Sequence, residues 1–134
     1  MEAKIDLISI ITSKFDEMFH FYRDVLGFKV NLKLDSYVEF ENPGVRFAIS
    51  THEVMADATK HESFTQKRKG QSFELAFPVE SPDDVDKIYD EIVKKGAIPI
   101  KSPEDLLWDQ RAAFFADPDG NIHEIFADIP QTDS

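Results

Sequence analysis

The chain has 134 residues, of which 42% are hydrophobic and none is cysteine, and its formal net charge is −11. This length and hydrophobic content predict one packed domain and argue against disorder. The acid excess excludes a nucleic-acid backbone as partner, and no apolar run approaches the roughly 20 residues of a membrane span. The lack of cysteine excludes disulfides and thiolate catalysis. Since the N-terminus also shows no signal peptide, a cytoplasmic protein is expected.

The first half of the chain predicts a strand, a helix and three short strands. A strand-like run over 4–12 is followed by Ser13, a good helix N-cap, and by apolar residues at helical spacing that stop at Gly27. Turn residues at 35–36 and 42–44 then separate the remaining strands. These three strands are predicted over 28–34, 37–41 and 45–50.

The second half repeats this order. Residues 72–80 alternate in strand fashion and place Phe73, Leu75 and Phe77 on one side. We expect these three residues to be buried between sheet and helix, together with Ile88 and Ile92. Ser81 and Pro82 then predict a helix that continues to Gly96. Three further strands are predicted over 97–101, 110–116 and 121–127.

The repeated order predicts an α+β fold made of two β-α-β-β-β modules in a single 1–134 domain. The first module covers about 4–50 and the second about 71–128. The polar segment 51–70 connects them, either as a mobile arm or as a partly helical bridge.

Two segments carry a family resemblance. Residues 19–28, and Asp117-Pro118-Asp119-Gly120-Asn121 followed by Glu124, resemble the first helix and the final hairpin of the vicinal oxygen chelate superfamily. That superfamily includes glyoxalase I, extradiol dioxygenases and the fosfomycin- and bleomycin-resistance proteins. The resemblance covers residues 4–127. It implies two curved mixed sheets whose concave faces hold a small-molecule site.

Metal-dependent members of the family place four ligands on these sheets, and the resemblance maps those positions to Leu7, Ala48, Glu74 and Glu124. Leucine and alanine offer no lone pair, so the four-ligand site is incomplete. We therefore expect no cofactor, with a divalent ion held by Glu74, Glu124 and water as the alternative. The four histidines are expected at surface or boundary positions rather than as ligands: His20, His52, His61 and His123.

The other side chains expected on the concave face are Ser9, Arg46, Ser50, Arg111, Phe115 and Phe126. Arg111 can form an ion pair with Glu74 or Glu124 inside the cavity. Without such a pair, two close carboxylates would share a proton, and one would be a candidate general base. Glu74 and Glu124 are thus the candidate catalytic residues. Trp108 precedes the seventh strand, where it either stacks on a ligand or anchors its loop.

The sequence is compatible with two functions. The first is a metal-independent binding protein that sequesters or senses a small organic, possibly cationic, molecule. The second is a glyoxalase- or dioxygenase-like enzyme, a lyase, isomerase or oxygenase, that uses Glu124 and Glu74 with a weakly held divalent metal. A homodimer is expected in either case, because two small sheets leave apolar strand surface exposed.

Overall fold

The structure is a computed structural model that describes residues 1–131, so the last three residues of the predicted 1–134 domain lie outside it. The chain divides into two compact units, the first Met1–Lys69 and the second beginning at Gly70. This boundary coincides with the end of the predicted connector. That the two units act as one domain stays a prediction.

The first unit contains the predicted strand, helix and strands, and the connector adds further helix. Its elements are β1 (Leu7–Thr12), α1 (Phe15–His20), a π-helical segment (Phe21–Val25), β2 (Val30–Lys33), β3 (Tyr37–Phe40), β4 (Arg46–Thr51), α2 (His52–Thr59) and a 3-10 turn (Glu62–Thr65). Gly27 ends the first helix with a φ of +84°, which favours glycine. Of the two expectations for the connector, the structure has the partly helical bridge.

The second unit repeats the order of the first. Its elements are β5 (Ala76–Pro78), α3 (Pro82–Lys94), β6 (Ile98–Asp105), β7 (Gln110–Ala116) and β8 (Ile122–Asp128). Ser81 caps α3 as predicted, since its Oγ accepts from the N–H of Asp84 at 3.3 Å. β5 is shorter than the predicted 72–80, because the N–H of Leu75 donates to a histidine side chain instead of continuing the ladder.

Within the described residues, each unit forms a four-stranded mixed sheet. The strand orders are β1-β4-β3-β2 and β5-β8-β7-β6. The first strand of each unit pairs in parallel with the last, and the other neighbours are antiparallel. The α+β class and the two β-α-β-β-β modules are therefore confirmed.

One face of each sheet is covered by its helix, and we call the opposite face the open face. In the first unit α1 packs against β4, and the core beside it is aromatic. The ring of Phe47 lies 5.3 Å from Tyr22, 5.3 Å from Phe28 and 5.7 Å from Phe40, measured between centroids. Such a cluster buries a large apolar area and fixes the helix-covered face.

In the second unit α3 packs against β6, β7 and β8. Ile92 is buried between helix and sheet as predicted, and Ile88 is half-buried. The expectation that Phe73, Leu75 and Phe77 are fully buried is wrong, since Phe73 is 38% exposed and the other two are half-buried. The reason is topological, because β5 forms the sheet edge and α3 lies over the other three strands.

Across the described residues, the longest helices fall well short of the length and apolar character that a bilayer crossing requires.

Candidate functional site

The open face of the second sheet is built around Glu124. In the antiparallel ladder of β7 and β8, Phe114 lies directly opposite Glu124, and Ala76 of β5 pairs with it from the other side. Strand alternation puts Ile122 and Phe126 on the same face. An acidic side chain thus lies among aliphatic and aromatic neighbours, which is the arrangement that the sequence pattern predicted for β8.

Glu124 is a largely buried residue whose carboxylate has no hydrogen-bond partner among residues 1–131. The residue is 9% exposed, and within residues 1–131 its carboxylate makes neither a hydrogen bond nor an ion pair. Desolvation raises its pKa above the ordinary value for glutamate, and the negative charge of Glu74 raises it further. A largely desolvated carboxylate without a partner is unfavourable in the free protein. A ligand group that pairs with it offsets this desolvation cost, which favours binding.

Glu74 lies just before β5 and is exposed. The backbone of the next residue holds this segment beside β8, because the carbonyl of Leu75 accepts from the N–H of Glu124 at 2.9 Å. Glu74 is consequently close enough for its charge to act on Glu124. The structure thus brings the two candidate acids into electrostatic contact, and their catalytic role stays a prediction.

A buried histidine–aspartate pair lies on the helix-covered side of this strand. His123 and Asp117 are fully buried, so the expectation of a surface or boundary histidine is wrong for His123. Nδ1 of His123 accepts from the N–H of Leu75 at 3.1 Å, and its Nε2 lies 3.5 Å from a carboxylate oxygen of Asp117. Because Nδ1 is an acceptor, Nε2 carries the proton in the neutral ring. The pair holds the segment that leads into β5.

Arg111 and Phe115 do not lie on the open face, and their predicted placement is wrong. Arg111 pairs with Ala127 and Phe115 with His123, and these partners belong to the helix-covered face. Directly opposite residues in an antiparallel ladder share a face. The five-residue turn 117–121 sets this register, and it brings Phe114 rather than Phe115 beside Glu124.

Arg111 therefore forms different ion pairs from those expected. Its Nε lies 2.8 Å from Asp86 of α3, and its Nη1 lies 2.9 Å from Asp105 of β6. These hydrogen bonds raise the pKa of the guanidinium above its ordinary value. The predicted pairing of Arg111 with Glu74 or Glu124 is absent from the described residues, which leaves the carboxylate of Glu124 without a counter-ion.

The first sheet brings the other predicted residues onto its own open face. Leu7 pairs with Arg46, Ser9 with Ala48, and Ile11 with Ser50 along the parallel ladder of β1 and β4. Ser9 is notable because its Oγ is fully buried and has no hydrogen-bond partner within residues 1–131. Nearly all buried polar atoms in native structures have a partner, so this hydroxyl calls for an explanation.

An acid that the sequence analysis missed lies at the centre of this face. Glu39 is 8% exposed and accepts hydrogen bonds from the Tyr37 hydroxyl at 2.9 Å, the Asn31 amide at 3.1 Å and the Arg46 guanidinium at 3.0 Å. The bond from Tyr37, the bond from Asn31 and the charge of Arg46 lower its pKa. Arg46 also pairs with Asp6 at 2.8 Å. Glu39 is thus fully partnered.

A signal for Glu39 was present in the sequence. β3 alternates Tyr37, Val38, Glu39 and Phe40, which puts the acid on the side opposite Val38 and Phe40. The ladder pairs Glu39 with Ala48, one of the four mapped ligand positions. The resemblance places ligands only on the first and last strands of each module, and β3 is neither.

Trp108 lies in the turn between β6 and β7. Its side chain is 61% exposed, and its Nε1–H donates to Oε1 of Gln110 at 2.8 Å. The indole is therefore not packed as a loop anchor, which was one of the two expectations. Its free ring face is available for stacking.

The donor set does not fit a metal centre of the family type. Among residues 1–131, no group of three or more His, Cys, Asp or Glu side chains is arranged to hold a metal ion. Two of the four mapped positions, Leu7 and Ala48, carry no donor. The two acids at the other positions are Glu74, which is exposed, and Glu124, which is buried.

A sequence profile of the Glyoxalase/Bleomycin resistance protein/Dioxygenase superfamily matches residues 4–125. The chain belongs to this superfamily. Its fold agrees with that assignment: a glyoxalase/bleomycin resistance protein/dioxygenase from Nocardioides superposes with a TM-score of 0.85 at 22% identity, covering 100% of this chain and 91% of that one.

Two relatives match in sequence. The uncharacterised protein YraH of Bacillus subtilis is 33% identical over 127 residues, which are 92% of this chain and 97% of YraH. The metallothiol transferase FosB of Lysinibacillus sphaericus is 26% identical over 113 residues, 84% of this chain and 74% of FosB.

Proposed function

We propose that this superfamily member binds a small organic cation at the open face of its second sheet, without a metal, in order to sequester or sense it. The observation that carries the proposal is the unpartnered carboxylate of Glu124, a residue that is only 9% exposed. The surrounding surface is mostly apolar, with few polar groups, as is typical of small-molecule sites.

Within residues 1–131, Glu124 has no counter-ion. Desolvation raises its pKa, which means that the free protein disfavours the negative charge. A ligand that brings a positive charge restores the missing interaction. The rings of Phe114 and Phe126, on the same face, add apolar and cation–π contact to such a group.

We also propose that the open face of the first unit is a ligand-contacting surface. The buried Oγ of Ser9 lacks a partner within residues 1–131, which supports its use as a hydrogen-bonding group. The remaining residues of this proposed site are Leu7, Arg46, Ala48 and Ser50, of which Ala48 and Ser50 are buried in the structure. Trp108 is proposed as a stacking residue in the second unit.

The test compares a cation with a neutral analogue of similar size. Thermal-shift and calorimetric titrations use benzyltrimethylammonium, whose charge is permanent, and benzyl alcohol. The cation is expected to bind the parent protein more tightly than the alcohol, and Glu124→Gln to remove this preference while keeping the shape of the side chain. Equal binding of the cation to parent and Glu124→Gln would contradict the proposal. The matched control is Glu80→Gln, an exposed acid of the same unit outside the site.

The raised pKa of Glu124 also favours a second candidate function. A carboxyl group with a pKa moved toward neutrality is suited to take a proton from the carbon next to a carbonyl. The protein would then be a lyase, isomerase or oxygenase of the glyoxalase or dioxygenase kind, with Glu74 as the second acid. Glu124→Gln would abolish turnover of such a substrate, whereas a binding protein turns over none.

The metal-independence of binding has its own test. Elemental analysis of protein purified without chelator is expected to find divalent metal far below one equivalent. Stoichiometric Zn²⁺, Ni²⁺, Fe²⁺ or Mn²⁺ would instead favour the enzymatic alternative.

We further propose a homodimer located in the cytoplasm. Each sheet exposes apolar side chains at an edge strand, Leu32 on β2 and Ile98 and Ile100 on β6. Pairing of two copies would cover such residues. Sedimentation analysis at micromolar concentration is expected to give twice the mass of one chain, and the mass of a single chain would contradict the dimer. Absence of cysteine supports the proposed compartment.

A further inference from the structure

The first unit contains a cavity that is separate from the residues of its open face. It has a volume of about 430 Å³ and lies between α2 and the segment that follows the 3-10 turn. Its lining includes Ser13, His52, Glu53, Ala56, Phe64 and Lys67, none of which belongs to the proposed cation site. Small-molecule sites typically have volumes of about 300–1,000 Å³.

A side-chain hydrogen bond holds the two walls of this cavity together. Nδ1 of His52, at the start of α2, lies 2.8 Å from the carbonyl oxygen of Phe64. A carbonyl oxygen only accepts, so Nδ1 carries the proton and Nε2 of the neutral ring is an acceptor. The chain reverses between these residues at Lys60, which has a φ of 55°. The cavity is therefore built by ordered local structure.

The lining offers one charge of each sign. Glu53 and Lys67 both line the cavity, and within residues 1–131 neither side chain forms an ion pair. Ala56 and Phe64 supply apolar wall beside them. A purely anionic ligand would lie beside the like charge of Glu53, and a purely cationic one beside the like charge of Lys67, which disfavours both.

We propose that this cavity binds a small zwitterion with an apolar side chain, a free α-amino acid. Its ammonium group pairs with Glu53 and donates to Nε2 of His52. Its carboxylate pairs with Lys67 and accepts from the hydroxyl of Ser13. Its side chain packs against Ala56 and Phe64. This site is additional to the proposed cation site and does not depend on it.

Calorimetry with three matched compounds tests the ligand class on the full chain. L-phenylalanine carries both charges, phenethylamine lacks the carboxylate, and hydrocinnamate lacks the ammonium group. L-phenylalanine is expected to bind at least about threefold more tightly than either analogue, because the loss of a charge pair with an exposed side chain costs roughly that factor. Equal binding of the three compounds, or no heat from L-phenylalanine at millimolar concentration, would overturn the proposal.

Variants then locate the binding. Glu53→Gln and Lys67→Gln are each expected to weaken L-phenylalanine binding by about threefold, since both side chains are exposed. Glu62→Gln and Lys69→Gln, exposed residues of the same connector outside the lining, serve as matched controls and should leave it unchanged. Ala56→Leu should also block binding by filling the cavity, with circular dichroism to verify the fold. If Glu53→Gln and Lys67→Gln bind as tightly as their controls, the cavity is not the site.

Discussion

Phe114 lies directly opposite Glu124 in the ladder of β7 and β8, so a benzyl ring borders the buried carboxylate on that side. Arg111 is three residues away on the same strand but points to the other face and pairs with Asp86. This register puts Glu124 and the guanidinium of Arg111 on opposite faces of the sheet. Glu124 consequently lacks a counter-ion, and its pKa is raised.

Removal of the charge at Glu124 is expected to stabilise the protein at neutral pH. The pKa of this carboxyl is raised in the folded state, so folding favours its protonated form. Stability is therefore highest below the unfolded-state pKa and falls as pH rises through the folded-state pKa. Glu124→Gln should gain roughly 1 kcal/mol in unfolding free energy at about pH 8. The gain should vanish near pH 4. Denaturant unfolding at both pH values measures it, and a loss of stability at the higher pH would contradict it.

Glu39 is expected to show the opposite pH dependence. Its pKa is lowered by the hydroxyl of Tyr37, the amide of Asn31 and the charge of Arg46, so folding favours its ionised form. This stability is present above the unfolded-state pKa and is lost as pH falls through the folded-state pKa. Glu39→Gln should lower the melting temperature at neutral pH, and the difference from the parent should shrink in acid. A melting temperature that rises in Glu39→Gln, as in Glu124→Gln, would refute the assignment of partners.

The register of β7 predicts that alanine substitutions at Phe114 and at Phe115 lower the free energy of unfolding by different amounts. Phe115 is fully buried on the helix-covered face, whereas Phe114 is half-buried on the open face. Phe115→Ala should lower the free energy of unfolding by roughly 3–5 kcal/mol, and Phe114→Ala by less than about 2 kcal/mol. Only Phe114→Ala should weaken binding of benzyltrimethylammonium while the fold is retained. Reversed stability effects would show that the hairpin register is shifted by one residue.

The ion pair between Arg111 and Asp86 should be measurable as a coupling. A double-mutant cycle with Arg111→Gln and Asp86→Asn should give about 0.5–1 kcal/mol, a modest value because Asp86 is half exposed. The matched cycle of Arg111→Gln with Glu124→Gln should be additive, since those side chains lie on opposite faces. A larger coupling in the second cycle than in the first would restore the pairing expected from sequence.

The strand and helix order could be predicted because each element carries a local signal. Each signal depends only on residues that are close in sequence, as with the apolar alternation of the strands, the cap at Ser81 and the helix end at Gly27. Which residues of β7 face the helix could not be predicted, because Ala112 and Phe114 are as apolar as Ala113 and Phe115. When both faces of a strand are apolar, its register is set by the turn alone.

The site was predictable in part for a similar reason. Glu124 is identified by a charge within an apolar strand, which is a local signal. The partners of Glu39 come from β2 and β4, and only the folded sheet brings Asn31 and Arg46 to it. The burial of His123 likewise depends on Leu75 and Asp117, which are distant or across a turn.

Binding of a cation at Glu124 is expected to release protons. Part of the Glu124 population is protonated in the free protein near the raised pKa, and a bound positive charge lowers that pKa. Affinity for benzyltrimethylammonium, whose own charge does not titrate, should therefore fall as pH drops through the pKa of Glu124. Calorimetry in two buffers of different ionisation enthalpy should reveal a proton released on binding, largest close to that pKa. Benzyl alcohol with the parent protein, and the cation with Glu124→Gln, should show neither effect. Proton release that persists in Glu124→Gln would assign the linkage to another group.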